Sequence, residues 1–90
     1  MKVKLMPIGS LLRLSDREYI YNIIVLDYFP VIFSNEEVWH YTLCFFRNGE
    51  SLGILAFSEN ELSELLISGE AEVLSKGTSN ENQRHIQTIQ

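Results

Sequence analysis

Apolar residues between positions 10 and 57 come in alternation or in short runs, and each run ends at a cluster of turn formers. That pattern predicts strands rather than helices. A first strand spans roughly Ser10–Leu14, followed by a tight turn over Ser15-Asp16-Arg17-Glu18, in which Ser and Asp bond their own backbone. A long strand then runs from Tyr19 to about Tyr28. Phe29-Pro30 interrupts it, because proline cannot donate to a ladder, and Val31-Ile32-Phe33 resumes as a short edge strand or a continuation. Ser34-Asn35-Glu36-Glu37 reads as a turn or a single helical turn.

From Val38 to Phe46 neither alternating face is polar: Trp39, Tyr41, Leu43 and Phe45 share one, and Val38, His40, Thr42, Cys44 and Phe46 the other. Such a strand is expected to be central and covered on both sides. Asn48-Gly49 then predicts a two-residue hairpin loop, since both positions must accept positive φ, and Ser51 to Phe57 returns as its partner. Ser58-Glu59-Asn60-Glu61 has the spacing of a capping box, and Leu62, Leu65 and Leu66 follow at helical spacing. A short helix from Glu59 to about Ile67 is predicted to end at Ser68-Gly69, with a last short strand over Ala71–Leu74.

The expected fold class is α+β, mostly β: a small curled antiparallel sheet, or a partly open SH3-like barrel, closed by one short helix. A flat antiparallel sheet with the helix on one face is the alternative. Residues 1–75 form a single sheet-rich domain, and the polar, aperiodic stretch 76–90 reads as a disordered tail.

Composition adds a class. Ninety residues with 46% hydrophobic and 21% charged positions suit one folded domain with a modest core. The net charge of −5 leaves little for counterion release on nucleic acid, so no nucleic-acid partner is expected. Charge is also uneven: residues 48–75 hold six glutamates and no Lys or Arg, either a solvated face or a contact for a basic partner. The longest apolar run, Ile23-Ile24-Val25-Leu26, is far short of a membrane span, and no signal-peptide stretch follows the basic residues near Met1. A cytoplasmic protein without a membrane partner is the default reading.

Chemistry is sparsely supplied. Cys44, alone in an apolar run, reads as a buried small hydrophobe, and His40 as a partly buried strand residue; His85 falls in the polar tail. Two histidines and one cysteine lack metal-ligand spacing, so no metal is expected. Glu36, Glu37, Glu59, Glu61 and Glu64 occupy turn and cap positions rather than an acid–base pair. No phosphate-binding glycine loop is present. Neither catalytic residues nor a cofactor are expected, and the chain reads as a non-enzyme.

What remains is apolar surface. All ten aromatic residues lie between Tyr19 and Phe57, more than a core of this size needs. The surplus makes Tyr28, Phe29, Phe33 and Trp39 candidate contacts for a protein partner or a homodimer, with Glu59, Glu61 and Glu64 as an acidic complement.

The stretch Leu5-Met6-Pro7-Ile8-Gly9-Ser10-Leu11-Leu12-Arg13-Leu14 resembles the opening of a family of small Gram-positive proteins that begin with Leu-Pro-Ile-Gly-Ser. Trp39–Cys44 is similar to that family's aromatic strand, and Phe57-Ser58-Glu59-Asn60-Glu61-Leu62 to its helix start. Ile67-Ser68-Gly69-Glu70 is similar to its following apolar-x-Gly element. Met6 stands where the family has leucine, the family's Tyr-Pro pair is missing, and the tail is neutral where the family's is acidic. The resemblance implies a non-enzymatic accessory or chaperone-like factor encoded beside type VII secretion loci, with a helical LXG-type toxin domain as partner. The alternative is a phage-encoded inhibitor or an immunity protein that binds and blocks a basic target.

Overall fold

The structure, a computed structural model, describes residues 5–77. Five strands form one open antiparallel sheet in the order β4-β3-β2-β1-β5, with one helix. The strands are β1 (Leu11–Asp16), β2 (Tyr19–Phe33), β3 (Glu36–Arg47), β4 (Glu50–Ser58) and β5 (Ala71–Ser75); α1 (Glu59–Ser68) joins the last two. The mostly-β α+β expectation is met by the open-sheet form, since β4 and β5 lie at opposite edges and do not pair.

Each early hairpin turns in two residues. Asn48 and Gly49 take φ of 55° and 81°, as the Asn-Gly signal requires. Ser34 and Asn35 do the same at 51° and 65°, so the segment read as a four-residue turn is a loop of two. At the first hairpin only Arg17 and Glu18 turn; Ser15 and Asp16 stay in β1, opposite Ile20 and Tyr19.

Strand β2 does not stop at Pro30, and the ladder explains why. Trp39, opposite Pro30, donates its N–H to Glu59 Oε1 at 3.0 Å, away from β2. Facing residues of an antiparallel pair orient their backbone groups alike, so the nitrogen of Pro30 also points out of the ladder. It points to the side where β1 has already ended, and the missing donor costs no bond.

A bulge in β2 sets which side chains face inward. Val25 pairs with Leu43 and Asp27 with Thr42, leaving Leu26 as the extra residue. Simple alternation would put Asp27 on the face of Ile23 and Val25; the bulge puts Tyr28 there instead. The Asp27 carboxylate turns back to accept the Tyr28 N–H at 2.8 Å, a donor with no strand beside it.

The core lies between that face and α1. Leu12, Ile23, Val25, Tyr41 and Leu43 of the sheet meet Leu62 of the helix, all 1% exposed or less, with Leu66 packed against them. Ser58 and Glu61 form the expected capping box, and Gly69 ends the helix in the left-handed conformation. Curvature brings Leu14 of β1 and Phe57 of β4 to one depression with Leu65. On a flat sheet these strands would lie about 14 Å apart.

The Pro7-Ile8-Gly9-Ser10 segment is a clasp. Ser10 N–H bonds Pro7 C=O across a turn in which Gly9 has φ of 90°. Gly9 donates to Val25 C=O at 2.8 Å and Ser10 C=O accepts from Val25 N–H at 3.0 Å, extending the sheet past β1. Ser10 is fully buried, and its Oγ accepts the Gly77 N–H at 3.0 Å. Ala71–Ser75 forms the expected last strand. The tail expected from residue 76 lies, beyond Gly77, outside the described residues.

Candidate protein-binding surface

The side chains singled out for binding fall in three places. Tyr28 and Trp39 are half-buried on the helix side of the sheet, edge to face with centroids 5.8 Å apart, and Tyr28 meets Tyr41 at 6.2 Å. Glu59 is 6% exposed, and its carboxylate continues the ladder of β3 where β4 has run out, taking the Trp39 N–H. Glu61 is exposed but holds the Ser58 N–H at 2.9 Å. Glu64 is exposed, beside Glu61 and Glu70 at a shallow depression floored by Phe57 and Leu65. Two of the three helix carboxylates are therefore engaged within the fold, and Glu64 is the one presented outward.

Tyr41 anchors the inner side. It is fully buried, and its oxygen accepts the Met6 N–H at 2.9 Å. Burial raises its pKa above the ordinary 10.0, a rise that the Met6 bond offsets in part and the charge of Glu59 reinforces.

Phe29 and Phe33 belong to a projecting arm. Strand β1 accompanies β2 only to Ile24, and β4 accompanies β3 only from His40. Beyond those points no other strand among the described residues pairs with Phe29–Phe33 or Glu36–Trp39. Phe29 stacks on His40 with centroids 5.8 Å apart, and the His40 Nδ1 lies 3.3 Å from Val38 C=O. At the tip, Ile32 is 68% and Phe33 74% exposed, opposite Glu37 and Glu36. A two-stranded ribbon has too little cover to bury both of its faces.

The outer face of the sheet corrects the expectation that β3 is covered on both sides. A ten-residue helix shields one face only, and nothing among the described residues lies over the other. There Leu11, Ile24, Cys44 and Ile54 form a cross-strand apolar row. Cys44 is buried at 8% exposure with Sγ 3.6 Å from Ser51 Oγ, whereas Ile54, at the sheet edge, is 59% exposed. Among the described residues no three His, Cys, Asp or Glu side chains come together to hold a metal ion, and no helix is long and apolar enough to cross a membrane.

Reasoning from sequence missed Ile32, Leu52, Ile54 and Leu55 as surface residues, each more than half exposed. The available signal was the absence of any charge between Ser51 and Ser58, which is unusual for a strand that ends a sheet. The chain matches no family model, no curated protein and no solved structure.

Proposed function

We propose that this protein is a non-enzymatic binding module whose β2–β3 arm docks on a protein partner. The observation that carries this reading is the arm itself, which runs past both neighbouring strands and ends in Ile32 and Phe33, 68% and 74% exposed. Large apolar residues held out on a two-stranded ribbon contribute little to the fold and are well placed to be buried by another surface. The opening Leu-Met-Pro-Ile-Gly-Ser and its resemblance to accessory proteins of type VII secretion favour a helical LXG-type toxin domain as that partner.

The test is titration calorimetry of the full chain with the helical domain of an LXG toxin encoded beside its gene. The reading expects a stoichiometric complex that Phe33→Ser weakens about 30-fold, the loss of one central apolar anchor, while the circular dichroism spectrum stays unchanged. Absence of a complex discards the toxin; a complex indifferent to Phe33→Ser and Ile32→Ser discards the arm.

A second reading, an inhibitor or immunity protein for a basic target, is favoured by the acidic surface. Glu36 and Glu37 lie on the arm itself, opposite Phe33 and Ile32, and Glu64 and Glu70 are exposed beside Phe57 and Leu65. Binding of that kind weakens steeply with salt, whereas apolar docking of the arm does not.

A further inference from the structure

We propose that the free edge of β4 pairs antiparallel with the same strand of a second copy of this chain, centred on Leu55, merging two five-stranded sheets into one. The backbone directions follow from the hydrogen bonds. Val25 spends both its N–H and its C=O on Gly9 and Ser10, away from β3, so its partner Leu43 points both groups at β4. By alternation Tyr41 and Phe45 do likewise, engaging Phe57, Leu55 and Gly53. Ile54 and Ala56 therefore point their N–H and C=O groups outward from the sheet edge.

The free stretch has defined ends. Toward the turn, the register shift leaves Leu52 as an extra residue that breaks the ladder. Toward the helix, Ser58 N–H is already taken by Glu61. Gly53 to Phe57 is left, and its middle residue is Leu55.

Pairing that stretch with its own copy satisfies everything it exposes. Ile54 bonds Ala56 of the second copy and Ala56 bonds Ile54, giving four hydrogen bonds about a two-fold axis. Leu55 meets its twin at the axis. Gly53 faces Phe57 of the other copy, an aromatic ring laid over an edge glycine. A depression of about 430 Å³ along Phe45, Leu52, Gly53, Ile54 and Leu55 lies on this edge and receives those side chains. No charge occurs from Ser51 to Ser58, so two copies of a chain with net charge −5 meet here without opposing carboxylates within the paired stretch. The other edge is built differently: β5 has five residues, and its Glu72 carboxylate holds Arg13. Natural sheets protect long apolar edges with charge, proline or cover, and Ser51–Ser58 of β4 carries neither charge nor proline and has no strand on its outer side among the described residues.

The test is sedimentation velocity on the full chain at about 100 µM, together with variants chosen to spare the β3–β4 ladder. Ala56→Pro removes an outward N–H and no internal bond; Leu55→Lys, at a residue 56% exposed, sets two ammonium groups against each other at the axis. A wild-type dimer that both variants convert to folded monomer supports the pairing. Crosslinking guards against misfolding of either one. In a Cys44→Ala background, Leu55→Cys is expected to oxidise to a covalent dimer, since the paired Cα atoms would lie about 4.5 Å apart, whereas Leu52→Cys is not. A wild type that is monomeric at this concentration overturns the proposal, as does a dimer that survives both variants and is not trapped by Leu55→Cys.

Discussion

Replacing Glu59 with alanine separates a structural carboxylate from a binding one. Its Oε1 accepts the Trp39 N–H at 3.0 Å where β4 no longer reaches, and the side chain is 6% exposed at the first residue of α1. Removing it leaves a partly buried backbone donor unpaired, a loss of about 1.5–3 kcal/mol for a bond to a charged group. It also removes a negative charge from the helix N-terminus, worth about 0.3–1 kcal/mol. The Glu59→Ala variant is therefore expected to lose about 2–4 kcal/mol. For a domain of this size, at about 4–8 °C per kcal/mol, that lowers Tm by about 8–30 °C. Glu59→Gln keeps an acceptor at the same reach and loses the charge, so it should cost about 1 kcal/mol. Urea titration followed by Trp39 fluorescence reads both, because the only tryptophan in the chain sits at the joint. An alanine variant within about 0.5 kcal/mol of wild type, or a glutamine variant as damaging as alanine, refutes the reasoning.

Two further perturbations probe the anchors. The pKa of Tyr41 is raised in the fold, so the stability it lends is complete below the unfolded value near 10 and is lost as pH rises through the higher folded value. Wild type should therefore lose stability above about pH 10 more steeply than Tyr41→Phe, compared by urea midpoints across that range. At neutral pH the same variant should be weaker by about 1–3 kcal/mol, because the Met6 N–H loses its acceptor. In Gly77→Ala the new Cβ would run into the backbone of Ile8 and Gly9, neither of which can swing aside as a side chain would. That variant should release the bond to Ser10 Oγ and speed amide exchange at Gly9 and Val25, while Lys76→Ala, next to it, should leave both unchanged.

Much of the local structure was legible because it is written in short-range chemistry. Asn48-Gly49 fixes a hairpin through the positive φ of two neighbours, and Ser58 with Glu61 starts a helix by satisfying two amides across one turn. Neither needs the rest of the chain. The strand over 38–46 and the small mostly-β class followed from aromatic and β-branched residues that pack best on a pleated surface.

The candidate surface was legible only as a surplus of apolar residues, because exposure depends on which strand ends where. Phe33 and Glu59 both look like contacts in sequence; one is at a bare tip and the other closes a ladder, since β4 stops at Ser58 and β1, starting at Leu11, reaches no further along β2 than Ile24. Pro30 reads as a break until the ladder shows its nitrogen facing an empty side. The bulge at Leu26 has no marker of its own, yet it exchanges Asp27 for Tyr28 on the core face. By itself the sequence determined the Asn48-Gly49 hairpin, the helix and the excess of apolar side chains. Strand order, bulge and register are long-range pairings, and those alone decided which side chains are buried, which are engaged and which face outward.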